Sequence, residues 1–339
     1  MAFDVIEPER VQYCLTTLTP TNDNAVYKRD TDVDDDWHSI LTPAQAVTGI
    51  VNAGYGGNTS DPEIWSMNTN PAQAGYLYVT ALLGTTGFPS DSGYYFGVST
   101  DYGTSWSWYA VAVRSGMLHS NRTGFGGIES HFDGTVIWIT ASATLYNRIV
   151  YRSADTGQTW AQVLAGDAFT IRNVYADPVS NLRAWVHGCG SGVSDQRIRR
   201  TVDASAWTCL SGPSWQPETY TNVGLGRHWF NAQLLEAGLI RCADGTYVYK
   251  SVDYGDNWTR ATCNAANPAT FVELIPDAVN YLYLSSRAVG GVGAHKVWLS
   301  EDEGVTCYDK NGADPETPGP NSIPRTESVT DFQPIWTVA

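Results

Sequence analysis

Lysine, methionine and metal-type cysteine spacings are what this sequence has least of. It holds four Lys and three Met in 339 residues, and only 16% of its residues are charged. With 42% hydrophobic residues it is not a disordered chain, and the shortage of Ala/Leu/Glu/Lys stretches excludes a coiled coil. No apolar run approaches the roughly 18 to 20 residues that span a bilayer, so no membrane insertion is expected. The six cysteines, Cys14, Cys189, Cys209, Cys242, Cys263 and Cys307, form no Cys-x-x-Cys pair and read as structural thiols. Cys189 with Cys209, or Cys242 with Cys263, could pair in an oxidising compartment, a choice that spacing alone leaves open. Positive charge is scarce too: 20 Lys plus Arg against 35 Asp plus Glu give a net charge of −15. That field repels phosphate backbones and anionic headgroups, so nucleic acid is not an expected partner. The small group Arg197, Arg199 and Arg200 reads as a strand edge or local ion pair.

A secretory leader is not apparent, because Asp4, Glu7, Glu9 and Arg10 stand where a basic start and an apolar run are needed. The expectation is cytoplasmic synthesis with a virion or extracellular surface as a destination. What the chain does have is 13 Trp, 19 Tyr and 32 Gly, a composition suited to many short strands joined by tight turns. An all-β protein is expected.

One octet, Ser-x-Asp-x-Gly-x-x-Trp, recurs along the chain. Clean copies run from Ser99 through Asp101 and Gly103 to Trp106, from Ser153 through Asp155 and Gly157 to Trp160, and from Ser251 through Asp253 and Gly255 to Trp258. Weaker copies are Ser300 to Cys307, with Asp302 and Gly304, and Thr201 to Trp207, with Asp203 and one residue fewer. A degenerate copy runs from Asp30 through Asp32 to Trp37, with Asp34 at the Gly position. Such an octet suits a hairpin connection: the Asp carboxylate accepts backbone N–H groups, the Gly supplies positive φ, and the Trp opens the next strand.

The octet resembles the Asp-box, or BNR repeat, of sialidases and other β-propellers. That resemblance implies a turn between the third and fourth strands of each blade, placed away from the ligand and serving architecture. The steps between box aspartates are 69, 54, 48, 50 and 49, and all but the first lie close to the 40 to 50 residues of a four-stranded blade. Residues 49–61, rich in Gly, Asn and Ser, have the composition of an insertion there. The expected fold is a six-bladed β-propeller, a single domain over residues 1–339, with box turns near 30–37, 99–106, 153–160, 201–207, 251–258 and 300–307. A seventh blade within the long step is the alternative.

Alternation places third strands before each box and second strands before those. Innermost strands are expected at 63–67, 125–131, 171–175, 230–236 and 271–275. The first box has no such strand, and the C-terminal run 329–336 fits the missing position, closing the ring by edge pairing.

The sialidase site does not carry over. No Arg-Ile-Pro occurs, and Arg172 is the single arginine on the expected inner strands. Those strands instead supply Glu63, Glu129, Asn173, Glu236, Glu273 and Asp331, a polar series facing a channel that would accept a Ca2+. Glu129, Glu236, Glu273 and Asp331 are thereby the candidate carboxylates of a glycoside hydrolase, the alternative function; a solvated channel lining is the simpler reading of the same residues. Trp215, Tyr220 and Trp229 are candidate aromatic platforms for a sugar. No metal site and no resident cofactor are expected from His or Cys spacing. The leading expectation is a non-catalytic propeller that binds a glycan or protein partner as part of a virion, tail or surface assembly or a homo-oligomer. A further resemblance, to seven-bladed Asp-box assembly factors of photosynthetic membranes, implies basic patches and a seventh blade, and neither is visible in the sequence.

Overall fold

The structure, a computed structural model, describes residues 2–3, 11–15, 25–30, 32–55, 63–70, 72–85, 88–113, 128–131, 134–142, 148–164, 170–177, 179–189, 196–210, 229–232, 238–244, 247–262, 270–277, 281–287, 296–300 and 308–309. Its strands form six four-stranded sheets, each ordered as in the sequence, with antiparallel neighbours. Sheet one is β1 (Ala2–Phe3), β2 (Val11–Leu15), β3 (Val26–Asp30) and β4 (Asp34–Leu41). Sheet two is β5 (Glu63–Thr69), β6 (Leu77–Thr85), β7 (Phe88–Ser99) and β8 (Ser107–Val113). Sheet three is β9 (Ile128–Ser130), β10 (Ile137–Ser142), β11 (Arg148–Ser153) and β12 (Ala161–Leu164). Sheet four is β13 (Thr170–Ala176), β14 (Ala184–Cys189), β15 (Gln196–Thr201) and β16 (Trp207–Cys209). Sheet five is β17 (Trp229–Ala232), β18 (Ile240–Asp244), β19 (Tyr247–Ser251) and β20 (Thr259–Thr262). Sheet six is β21 (Thr270–Asp277), β22 (Tyr281–Arg287), β23 (Lys296–Ser300) and β24 (Tyr308–Asp309).

The chain divides into two compact units: Met1–Gly192 with Arg197–Cys209 and Ile335–Ala339, and Val193–Gln196 with Leu210–Pro334. In the first unit, strand alternation buries both faces of the middle sheets. On β10, Ile137, Ile139 and Ala141 pack with Tyr78, Phe96 and Val98 of sheet two. The other β10 face carries Trp138, which with Val136 just before the strand packs with Ile171, Val174, Ala184 and Val186 of sheet four. Val11 and Tyr13 of sheet one meet Leu77 of sheet two in the same manner. Each fully buried side chain of this size contributes about 1.5 to 3 kcal/mol. The first strands of successive sheets also lie side by side: β1 with β5, β5 with β9, β9 with β13. In the second unit β17 packs beside β21.

Three expectations need correction. The first strand of sheet one comes from the N-terminus, since Ala2–Phe3 pairs with Gln12 and Tyr13 of β2. Two residues are too short to show alternation, which is why the position looked vacant; the C-terminal run 329–336, including Asp331, lies outside the described residues. The long step between the first two octets carries a helix, and no seventh sheet is found there among the described residues. Helix α1 (Pro43–Asn52) begins at a capping box in which Thr42 Oγ1 accepts the Gln45 N–H at 3.3 Å and Gln45 Oε1 accepts the Thr42 N–H at 2.8 Å. It ends at Gly54, φ +88°, with Gly54 donating to Val51 and Tyr55 to Ile50, a Schellman arrangement. Buried Ala46 and Ile50 dock it on Trp108, Leu83 and Tyr95. Trp108 is therefore a core residue.

The third correction concerns residues 30–37, where no octet turn forms. The Val33 N–H bonds the Asp30 carbonyl at 3.1 Å, and β4 resumes at Asp34, paired with Asp30. Without the glycine this segment closes as a four-residue β-turn, with the Asp30 carboxylate accepting the Asp32 N–H at 3.3 Å. Trp37 is left 38% exposed. Cys209 is exposed on β16, and β15 lies between that strand and β14, which carries Cys189.

The octet glycines of sheets two and three pack against the preceding sheet. At Gly157, φ +87°, an added Cβ would meet the Phe96 ring of β7, and at Gly103 it would meet Ile40 of β4. Gly157→Ala is expected to destabilise by about 2 to 4 kcal/mol, the sum of left-handed strain and overpacking. Urea unfolding at neutral pH would check it, and a midpoint unchanged from wild type would contradict it.

Candidate functional site

Because strands alternate in direction, each sheet has two unlike ends. The octet turn (third to fourth strand) and the turn from first to second strand share one end; the connection to the next sheet and the remaining hairpin share the other. Octet turns at 99–106, 153–160 and 251–258 are nearly identical. Ser99 Oγ accepts the Gly103 N–H at 2.8 Å and donates to Asp101 Oδ1 at 2.9 Å. Asp101 then accepts the Ser105 N–H at 2.8 Å and the Ser105 hydroxyl at 2.6 Å. Asp155 repeats this with Thr159, at 2.8 and 2.6 Å, and Asp253 with Asn257, at 2.8 and 2.6 Å. The ring N–H of Trp106, Trp160 and Trp258 bonds the carbonyl of Gly103, Gly157 and Gly255. In the shorter copy Asp203 accepts the Ser205 and Ala206 N–H groups at 2.9 and 2.8 Å. There Trp207 instead reaches the Val163 carbonyl of sheet three at 2.9 Å and sets its ring at 90° to Trp138.

Two consecutive residues, and not the glycine alone, are left-handed. Tyr102, Thr156 and Tyr254 have φ of 58°, 57° and 62° ahead of Gly103, Gly157 and Gly255, and Ala204 has φ 60°. Each of these four donates its N–H to the first-to-second-strand turn of its own sheet: Tyr102 to Gly75, Thr156 to Thr135, Ala204 to Leu182, Tyr254 to Gly238. Those turns are a second recurrent feature of the chain, separate from the octet. Asn70 accepts the Ala72 N–H at 2.8 Å, while Asp177 accepts those of Val179 and Ser180 and pairs with Arg183 at 2.6 Å. The signal was present in Asn70-Pro71 and Asp177-Pro178. Thr156→Asn, placing a residue that tolerates this φ, is expected to stabilise by roughly 0.5 to 1 kcal/mol. Thermal unfolding would show it, and a lowered midpoint would contradict the strain.

Donors around the carboxylates hold them ionised. Burial pushes Asp101 and Asp155 up, but bonds from Ser105 and Ser99, and from Thr159 and Ser153, outweigh it and lower both. The Asn257 N–H and amide lower Asp253. The Ser205 and Ala206 N–H groups bring Asp203 down to about 2. A depressed carboxylate contributes stability above its unfolded value, about 3.9, and loses that contribution as pH falls through the folded value. Asp203→Asn is thus expected to lower the melting temperature at pH 6, with the gap to wild type closing between pH 4 and pH 2. A gap that persists at pH 2 would rule out this assignment.

The inner-strand polar series can be placed by register. Leu77, Ile137, Ile240 and Leu282 pair with the octet residues Ser99, Ser153, Ser251 and Ser300 and mark a common level. One residue beyond that mark Glu129 pairs with Trp138. Three beyond, Ser66 pairs with Thr80, Trp229 with Ala243 and Glu273 with Ser285. Asn173, opposite His187, holds the matching place in sheet four, whose Ala184 follows the same turn. Five beyond, Glu63 pairs with Leu82 and is buried. The series therefore stands at three levels. A bulge precedes Ser66, Asn173 and Glu273 alike, with Arg172 the bulged residue of β13. Glu236, Trp215, Tyr220, Asp331, Asp302 and Gly304 lie outside the described residues. Among the described residues no group of three or more His, Cys, Asp or Glu side chains is placed to hold a metal ion, and no helix is long and apolar enough to cross a membrane.

No protein-family model matches the chain, and no curated protein does. Solved structures do. A prolyl endopeptidase is similar at 9% identity and TM-score 0.52, over 88% of this chain and 41% of that one. An ancestral GH74 enzyme is similar at 12% identity and TM-score 0.50, over 88% of this chain and 38% of that one. YCF48 from Cyanidioschyzon merolae is similar at 13% identity and TM-score 0.43, over 76% and 86%. The chain spans less than half the length of the first two. At these identities the likeness is one of fold, and the fold it supports is a nearly all-β chain of four-stranded antiparallel sheets of the β-propeller kind.

Proposed function

We propose that the chain is a six-bladed Asp-box propeller that recognises a glycan or protein partner without catalysing a reaction, as a component of a surface assembly of the virion or tail type. One observation carries the reading: the two ends of the sheets are built on opposite principles. At the octet end the turns repeat nearly atom for atom and their carboxylates are consumed by internal donors. At the other end the connections 42–62, 114–127, 165–169, 210–228 and 263–269 differ in length and composition, and one of them contains α1. Loops that vary on a rigid frame are where recognition is placed. The acids on β5, β9 and β21 occupy different levels of their sheets, which favours a polar lining over a matched catalytic pair.

The reading is tested by incubating the chain with a panel of polysaccharides while measuring both retention and release of reducing ends. Binding without release is expected. Release that is lost on Glu129→Gln, Glu236→Gln or Glu273→Gln would replace recognition by hydrolysis.

A further inference from the structure

The short octet of sheet four differs from the three full-length ones in what it leaves open. In those, the aspartate Oδ2 accepts the side chain of Ser105, Thr159 or Asn257 at 2.6 Å, from the residue four positions on. Four positions past Asp203 stands Trp207, which has no donor to give there because its ring N–H goes to Val163. Asp203 takes the Thr201 hydroxyl and the Ser205 and Ala206 N–H groups on Oδ1 alone, and its Oδ2 accepts no hydrogen bond from the described residues. The Ser205 hydroxyl favours the ionised form without closing that bond. Aliphatic side chains stand around this exposed carboxylate. Ala204 donates its N–H to the Leu182 carbonyl at 2.9 Å, which holds the octet turn against the 177–183 turn. On these two paired turns Val179, Leu182 and Val202 are 62%, 45% and 57% exposed. Thr100 and Ala154 hold the place of Val202 in sheets two and three, so the octet itself does not call for a valine.

We propose that the paired turns of sheet four dock a polypeptide segment in which leucine- or valine-type side chains flank a lysine or arginine. Exposed aliphatic groups beside one open carboxylate call for a complement that is both apolar and cationic. The cations of this corner are already engaged: Arg183 pairs with Asp177 at 2.6 Å, and Arg152 lies over the Trp138 ring and donates to the Asn181 carbonyl at 3.1 Å. Charge selects among occupants. A second copy brings a net charge of −15 and four Lys against the same sign, and a phosphate-bearing surface would meet the Asp203 carboxylate. This surface lies at the end of the sheet away from the variable connections, so the inference goes beyond the recognition reading and gives the chain a second point of attachment.

The test is fluorescence anisotropy with short labelled peptides in which leucines flank a central lysine, matched with peptides carrying glutamate for the lysine or serine for the leucines. The wild type is expected to bind the leucine–lysine peptide in preference to both. Leu182→Ser and Val202→Ser are each expected to weaken that binding by about threefold or more, and Asp203→Asn to weaken it and remove most of its salt dependence. Val33→Ser, at an exposed valine of sheet one, is expected to leave it unchanged. Melting temperatures separate lost binding from a loosened turn in Asp203→Asn; Leu182 and Val202 are exposed, so their serine variants remain informative should Asp203→Asn unfold. Equal binding of the glutamate peptide, binding unchanged in Leu182→Ser and Val202→Ser, or no binding of any peptide by the wild type would overturn the docking surface. Concentration-dependent dimerisation abolished by Leu182→Ser would put a second copy in place of the segment and overturn it as well. Glycan retention is expected to be the same in all these variants, so that failure here and failure of the recognition reading are read separately.

Discussion

A carboxylate accepting N–H and hydroxyl groups from the residues just ahead of it holds each octet turn in a conformation that the backbone would otherwise resist. A left-handed non-glycine residue costs roughly 1 to 2 kcal/mol, and each of the four described octet turns contains one. The cost is offset because the left-handed residue sends its N–H into the adjacent turn of the same sheet, so that two hairpins close on each other. It also lets the glycine come against the neighbouring sheet with no side chain between. Trp160 then lies edge-on to Phe96 at 5.1 Å, and Trp207 bonds the Val163 carbonyl. A local turn thereby does long-range work: in the first unit it stitches each sheet to the one before it.

Stacking of this kind explains why the sheets need so little help from helices. A four-stranded sheet with two apolar faces is unstable alone, and sheet three is apolar on both. Ile137 and Ile139 face one neighbour and Trp138 the other, a pattern with period two that works only when a sheet stands on each side. Polar links cross the same contacts. Asn68 donates to the Ile128 carbonyl at 2.7 Å, and Tyr78 bonds both Asn70 and Gly134. Arg152 covers the Trp138 ring and reaches the Asn181 carbonyl of sheet four.

The period-two pattern and the octet made most of this frame legible. Strands β11 and β19 end on the serine that opens the following octet, because a glycine and an aspartate fix the turn within a residue. What was not legible was short or mixed. Ala2–Phe3 is too brief to carry a period. The glycines of 49–61 marked an insertion in the long step but not its structure, since Gly49 packs within a helix against Trp108 and Gly54 caps it; the Thr42-Pro43-Ala44-Gln45 start was the better signal. Residues 30–37 kept the aspartates of the octet but not its glycine, and the aspartates alone did not specify the turn. For the polar series, spotting one residue per inner strand said nothing about level, since a bulge displaces the count by one and the strands begin at different rows.

That displacement bears on what such a frame can evolve to do. Each octet turn of the first unit is constrained three times over, by φ, by contact with the preceding sheet and by hydrogen bonds to its carboxylate, so substitutions there are felt in stability before they are felt anywhere else. At the opposite end, among the described residues, the connection after sheet one forms a helix instead. Chain length enters loop entropy only logarithmically, so an insertion as large as the one holding α1 costs little if its own apolar face is docked, as Ile50 and Ala46 are. The bulges of β5, β13 and β21 sit between these regimes. They break the ladder beyond the rigid rows and before the variable loops, which lets one register level carry Ser66, Asn173 or Glu273 without disturbing the turns below. Chemistry can change at that level while the fastening of the sheets does not.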